Sequence, residues 1–312
     1  MAVSRNFARA IAEDAVIDRW TAPDGWPLRR FHWRAEGSPR GSILFQTGRG
    51  DVFEKYLESF VHWHAAGWTI TAFDWRGQGG SGRLTPKANC GHIDDFGTYI
   101  ADLRAFAAQW MAETPGPHVV MGHSMGGHLV LRGLAEGAIA PDTAVLVAPM
   151  LGVRSALGRL AAPMARFLSR LGDPRRPAWK GNEKPYTTET RANLLTHDPA
   201  RYADELWWQA QDRVLLTGPP SWQWLVAAFR SMADLEAGAI EAVGTPLLLL
   251  IAEADGLVDA SAALRIAPRL PDAAVLRFGP DSAHEILREA DPVRDRALAA
   301  IDGFLDARAP RP

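Results

Sequence analysis

Apolar residues in this chain fall into short unbroken runs separated by longer stretches with the three-and-four spacing of helices. Ser42 to Gln46, Thr69 to Phe73, Val119 to Met121, Ala144 to Ala148, Pro246 to Ile251 and Ala273 to Phe278 are runs of the first kind. Mostly apolar and partly β-branched, they predict strands, with those at Thr69, Val119 and Ala144 buried. Between them Phe53, Tyr56, Leu57, Phe60, Val61 and His64 recur at helical spacing until Gly67 closes the helix. A second stripe, Phe96, Tyr99, Leu103, Phe106 and Trp110, starts at Asp94-Asp95 and stops at Pro115-Gly116-Pro117. Asp94 and Asp95 read as first-turn acids meeting a helix dipole. Further helices are predicted from Ser261 to Leu270 and from Pro292 to about Ala307. Val16 to Trp20 and Leu28 to Trp33 alternate apolar with polar residues about an Asp24-Gly25 turn, predicting an edge hairpin.

From Pro149 to about Asp234 the strand signal vanishes, and helical pieces alternate with Pro-rich, polar ones. Five of the 12 Trp fall here: Trp179, Trp207, Trp208, Trp222 and Trp224. This reads as a helical insertion in one domain, with residues 1–148 and 235–312 as the core and 149–234 as the insertion. Alternating strands and helices imply an α/β fold with a mostly parallel, doubly wound sheet. Ligands of such sheets bind beyond the carboxyl ends of the strands, so the residues capping those ends matter most.

The strand at Val119 to Met121 runs into Gly122-His123-Ser124-Met125-Gly126, a G-x-S-x-G elbow, and Gly126-Gly127 then opens an apolar-faced helix. Such a turn is tight and strained, and glycines let strand and helix pass close beside the serine. Two later strands end in Glu253-Ala254-Asp255 and in Asp281-Ser282-Ala283-His284. Ser124, Asp255 and His284 thus each follow a strand, in the order Ser, Asp, His. A hydroxyl becomes a nucleophile when a neutral imidazole takes its proton, and a carboxylate fixes that imidazole. Asp259 is a rival acid, Asp281 lies nearby, and His197 is the other histidine beyond the elbow helix. His123 reads as packing or pocket lining; His62 and His64 belong to a helix.

Composition narrows the classes further. A chain of 312 residues with 47% hydrophobic and 22% charged residues is ordinary for a globular protein. Its net charge of −2 gives no electrostatic case for nucleic acid. The single Cys90 excludes an intramolecular disulfide and fits a reducing, cytoplasmic setting; it reads as a surface or half-buried thiol. Met1 to Trp20 carries Arg5, Arg9, Glu13 and Asp14 without an apolar core and does not read as a secretory signal. The longest apolar run is too short to span a bilayer. The loop Asp74-Trp75-Arg76-Gly77-Gln78-Gly79-Gly80-Ser81-Gly82 lacks phosphate-loop spacing and reads as a turn packed beside the serine. No metal-ligand spacing is present, so no metal or cofactor is expected.

Five pieces together resemble the α/β-hydrolases of the monoacylglycerol lipase and lysophospholipase type, the serine-aminopeptidase S33-like hydrolases. They are Thr47-Gly48-Arg49, the loop from Asp74 to Ser81, Gly122 to Gly127, Asp255-Gly256-Leu257-Val258-Asp259 and His284-Glu285-Ile286-Leu287. The Arg49 loop and the His284 piece are most similar to the bacterial lysophospholipase L2 branch. The match runs from about residue 15 to 305. The resemblance implies an α/β-hydrolase fold with a sheet of about eight strands and a helical cap at 149–234. It implies nucleophile Ser124, acid Asp255 and base His284, with backbone N–H groups of Arg49 and Met125 as oxyanion donors. In many relatives the first loop reads His-Gly; here Thr47 replaces that histidine. The implied reaction is hydrolysis of carboxylic esters, lysophospholipid- or monoacylglycerol-like, with His123, Trp179, Trp207 and Trp222 lining the substrate site. The implied partner is a small acyl ester, with transient membrane contact through the cap left open. Two rivals stand: an amidase or aminopeptidase using cap acids such as Glu183, Glu189, Asp204 and Glu205, and a non-catalytic ligand-binding relative.

Overall fold

A computed structural model describes residues 9–87, 89–179 and 188–311. Eight strands form one sheet in the order β1-β2-β4-β3-β5-β6-β7-β8. The strands are β1 (Val16–Thr21), β2 (Pro27–Trp33), β3 (Gly41–Gln46), β4 (Trp68–Phe73), β5 (His118–His123), β6 (Thr143–Val147), β7 (Leu247–Ala252) and β8 (Ala273–Phe278). The hairpin β1–β2 is antiparallel and β2 meets β4 antiparallel; every pairing from β4 through β3 to β8 is parallel. Where residues must be apolar on both sides the strands are wholly buried, as in β3, β4, β6 and β7. β8 closes the sheet as an edge strand, which is why its run is largely exposed.

Helices cover both faces and divide the core in two. On one face α2 (Gly97–Glu113), α3 (Met125–Ala135) and α8 (Ala260–Ile266) bury Leu103, Phe106, Leu129 and Ile266 against Leu44, Val120, Leu146 and Leu249. On the other, α1 (Leu57–Ala65) and α9 (Asp291–Arg308) bury Phe60, Trp63, Ile301 and Leu305 against Ile43, Phe45, Val119 and Leu250. Alternate residues of one strand therefore serve opposite cores, as the strand's two-residue period requires. The Asp94-Asp95 pair sits just before α2 rather than in its first turn, and Asp95 accepts from the Gly97 N–H at 2.6 Å. Cys90 is buried, not at the surface, and burial pushes its thiol up to about 11.

Between β6 and β7 the chain leaves the sheet and forms α4 (Ala161–Ser169), α5 (Thr188–Leu195), α6 (Pro199–Gln211) and α7 (Trp222–Ala237). Asp198 caps α6, accepting from the Ala200 and Arg201 amides with Pro199 at the first turn, and Ser221 caps α7. α4 packs on α7, and α7 reaches down to α3, so these helices stand over the ends of β5, β6 and β7. Met1 to Ala8 and Glu183 lie outside the described residues, and of Glu189 only the backbone is described.

Candidate active site

The turn after β5 is the strained feature of the fold. Ser124 has φ 52° and ψ −117°, left-handed backbone for a residue that is not glycine. Its N–H donates to Val147 O at 3.0 Å, and its carbonyl accepts from His128 and Met150, so three elements hold the strained residue in place. Two flanking glycines are sterically required. A Cβ at Gly122 would lie 2.6 Å from the Gly126 carbonyl carbon, and one at Gly126 would lie 2.4 Å from Gln46 O. The strand, the helix and the end of β3 can approach this closely only without side chains there.

His284 enters from the loop after β8. Its Nδ1 lies 2.6 Å from Asp255 Oδ2, and its Nε2 lies 2.9 Å from Ser124 Oγ. Nδ1 faces an ionised carboxylate and so carries the proton, which leaves Nε2 as the acceptor for the serine hydroxyl. Asp255, in the loop after β7, turns its other oxygen to the Leu257 and Val258 amides at 2.7 and 3.0 Å. Burial works to raise this carboxyl, but the His284 ring and those amides outweigh it and hold it below the usual range. Burial likewise works against the charged His284 ring, and the Asp255 carboxylate overcomes it, so His284 is raised above its ordinary value. The rivals have other work. Asp259 caps α8, accepting from the Ser261 amide at 3.0 Å, while His197 pairs with Glu289 at 3.0 Å.

A buried ionic cluster underlies these loops. Asp51 Oδ2 accepts from the Gly48 amide at 3.1 Å and the Tyr56 hydroxyl at 2.8 Å and lies 3.1 Å from His123 Nδ1. Lys55 Nζ donates to Asp51 Oδ1 at 2.5 Å and to Glu285 Oε1 at 2.6 Å, and lies 3.1 Å from Glu205 Oε2 on α6. Arg288 also holds Glu285, and Arg191 holds Glu205 at 2.9 Å. Burial opposes ionisation of Asp51, yet Lys55 and His123 hold its carboxyl well below the usual range. His123 Nε2 faces the His284 carbonyl at 3.3 Å, closing a path from the first loop to the histidine loop. The glycine-rich loop after β4 braces the same region: Gln78 Oε1 accepts from the Gly50 amide at 2.6 Å, and Trp75 donates to Thr47 O at 2.9 Å. The backbone of residues 47–51, where the Arg49 amide sits, is thus fixed from two sides, and Met125 begins α3 directly after Ser124.

Ser124 and His284 open into a cavity of about 770 Å³, toward the larger end of small-molecule sites. Its walls are mostly apolar, with Met150, Leu157, Met164, Leu194, Trp179 and Trp222 among them. His123 lines it too. Trp207 does not: it packs edge-on against Trp208, with Arg9 over its ring, on the outer side of α6. The tryptophan that takes a place in the wall instead is Trp224, whose ring faces the Arg49 guanidinium at 5.4 Å. Arg49 also donates to Gly218 O at 3.1 Å, and burial, then repulsion from Arg191, brings it down to about 10. Sequence reasoning passed over Asp51, Lys55, Tyr56 and Gln78. The Asp51–Lys55 spacing of one helical turn was the available signal.

A family model described as serine aminopeptidase, S33, matches residues 37–291. The lysophospholipase L2 of Escherichia coli (strain K12) is 32% identical over 302 residues, covering 92% of this chain and 86% of that protein. Among solved structures, a soluble variant of monoglyceride lipase from Saccharomyces cerevisiae superposes with a TM-score of 0.76 at 18% identity, over 96% of this chain and 97% of that one. A thermostable carboxyl esterase from Bacillus coagulans gives 0.74 at 18% identity, over 95% and 99%.

Proposed function

The chain belongs to the serine aminopeptidase S33 family and is a carboxylic ester hydrolase of the lipase and esterase type, and from its geometry we propose that it cleaves lipid-like esters through Ser124, His284 and Asp255. The observation that carries the reading is the unbroken chain Asp255–His284–Ser124, with contacts of 2.6 and 2.9 Å, at the floor of a large apolar cavity. In the proposed reaction His284 Nε2 takes the proton of Ser124 Oγ as the oxygen attacks the ester carbonyl. The backbone N–H groups of Arg49 and Met125 receive the oxyanion, and Asp255 stabilises the imidazolium. His284 then returns the proton to the leaving alcohol, and water, deprotonated by the same ring, cleaves the acyl-enzyme.

The helices of residues 149–234 act in this reading as a cap whose side chains wall the acyl site. The size and apolar lining of the cavity favour a long acyl chain, as in a lysophospholipid or a monoacylglycerol. The aminopeptidase alternative calls for an acid presented to an amine. Among the described residues, the acids lining the cavity, Asp51 and Glu285, are both engaged by Lys55, while Asp204 pairs with Arg9 and Glu205 with Lys55 and Arg191. The test is direct. A fluorophosphonate probe should label the wild type and not Ser124→Ala, and p-nitrophenyl esters should be hydrolysed with rates rising with acyl length. Labelling that survives Ser124→Ala, or faster turnover of aminoacyl-p-nitroanilides than of esters, would overturn the reading.

A further inference from the structure

The end of α5 is joined by hydrogen bonds to the loop that carries His284. Three consecutive amides of that loop are taken up: Ala283 N–H donates to Glu289 Oε1 at 2.6 Å, His284 N–H to Leu194 O at 3.3 Å and Glu285 N–H to Leu195 O at 2.8 Å. The last carbonyls of α5, which lack partners within the helix, thus find them in the histidine loop. The next two residues of the insertion add to the contact. Thr196 Oγ1 donates to Arg288 O at 2.6 Å. His197 gives its backbone N–H to Glu289 Oε2 and turns Nδ1 to Glu289 Oε1, both at 3.0 Å. Glu289 stands at the centre of this junction. It is 0% exposed and gathers N–H groups from both segments, with the Ala290 amide adding another at 3.2 Å. A buried carboxylate keeps its charge where such donors surround it.

None of these groups takes part in the proposed proton transfers, yet together they set where the His284 ring stands. That ring must reach Asp255 at 2.6 Å and Ser124 at 2.9 Å at once, which tolerates little drift of its backbone. Between the end of β8 at Phe278 and the turn at Ile286–Arg288 the loop has no strand or helix of its own. Its placement therefore comes from the contacts with Glu289 and the insertion. Taking His284 as the base, we propose that Glu289 is a positioning residue: with Leu194–His197 it clasps the histidine loop and holds the ring in line between Asp255 and Ser124. The same segment meets the substrate space. Leu194 and Leu195 line the cavity, and Leu194 packs on the acid loop, where a Cβ at Gly256 would lie 2.3 Å from Leu194 Cδ2. An acyl chain seated against α5 thus presses on the segment that braces both the histidine and the acid.

The test is Glu289→Gln, which keeps the shape of the side chain but turns an NH2 group toward N–H donors. On a soluble p-nitrophenyl ester its kcat should fall by about 10–100-fold with KM nearly unchanged. The proton on His284 Nδ1, in a short charge-assisted bond to Asp255, should give a far-downfield NMR resonance in the wild type that shifts or broadens in the variant. That resonance is read without substrate, so it tests the clasp even in a protein that cleaves no ester, where the ester reading alone would fail. Should Glu289→Gln not fold, His197→Ala decides, because that side chain is 48% exposed and its removal leaves the backbone contacts in place. The same resonance should then move, and kcat should drop by a smaller factor. Either variant, folded, with wild-type kcat or an unmoved Nδ1 resonance would overturn the proposal. So would a loss that falls on KM alone, or one that only matches the fraction of protein left unfolded.

Discussion

The Lys55 ammonium lies 3.1 Å from the Glu205 carboxylate, and both side chains are about 1% exposed. Lys55 comes from the segment after the first loop and Glu205 from α6, so this pair ties the helical insertion to the floor of the site. The same ammonium holds Asp51 and Glu285, the residue after His284. Removing it takes a shared cation from three buried carboxylates, of which Glu285 keeps Arg288 and Glu205 keeps Arg191. Lys55→Met should therefore destabilise the fold by about 3–5 kcal/mol, read as a lower midpoint in urea. The sign with pH follows from Asp51, Glu205 and Glu285, all held below their ordinary values against the pull of burial. Their stabilisation is present above the unfolded carboxyl pKa values and is lost as pH falls through the depressed folded ones. Lys55→Met should therefore move acid unfolding to higher pH, and an unchanged acid midpoint would count against the cluster as described.

The His284–Asp255 contact makes a prediction about activity. With His284 as the proposed base, which works only when neutral, turnover should rise with pH through the His284 pKa. Asp255 raises that pKa above 6.5, which moves the acid limb of kcat/KM upward. Asp255→Asn should shift the limb to lower pH, because burial, the largest influence on the ring, is then opposed only by Glu285 and Asp51. It should also lower kcat by about 10⁴-fold through loss of the tautomer that leaves Nε2 free to accept. A pH profile on a soluble p-nitrophenyl ester separates the two effects; a limb that stays in place would show that Asp255 does not set it.

Much of this was readable in the chain because the physics was local. β3, β4, β6 and β7 are largely apolar runs long enough to be buried on both faces, and Ser124, Asp255 and His284 follow the ends of β5, β7 and β8. The elbow announces itself because Gly122 and Gly126 are the residues steric crowding demands. The ionic cluster was illegible for the opposite reason. Asp51 and Lys55, one turn apart, look like an ordinary solvated pair, and only the arrival of Glu205 and Glu285 from far along the chain buries them. Trp207 and Trp224 show the same limit. Both are aromatic positions of the insertion, and only packing puts Trp224 in the cavity wall and Trp207 beside Trp208 and Arg9.

The cavity gives a specificity prediction. Ala228, on α7, is buried and lines the wall. Ala228→Phe should fill part of the acyl space and shift the preferred chain to shorter lengths. For the longest esters kcat/KM should fall by about tenfold or more, with the fall shrinking as the acyl chain is shortened. Rates across a p-nitrophenyl ester series read the shift directly, and a parallel loss at every length would place the acyl group elsewhere.

The first loop gives the sharpest steric test. The Arg49 amide cannot be removed by exchanging a side chain, but its neighbour can be made to displace it. A Cβ at Gly48 would lie 2.7 Å from Asp51 Oδ2 and 3.1 Å from Ser124 Cβ. The Asp51 carboxylate is pinned by Lys55 and Tyr56, so it has little room to retreat, and the loop must shift instead. Oxyanion donors act through placement to within a few tenths of an ångström, and losing one typically costs about 10²–10³ in kcat. Gly48→Ala should therefore lower kcat by roughly that factor, with KM nearly unchanged, since the apolar walls that hold the acyl chain are untouched. Fluorophosphonate labelling should slow in step, because its phosphoryl oxygen uses the same donors. A variant with wild-type kcat would move the oxyanion site away from Arg49 and leave the Thr47-Gly48-Arg49 turn a purely structural one.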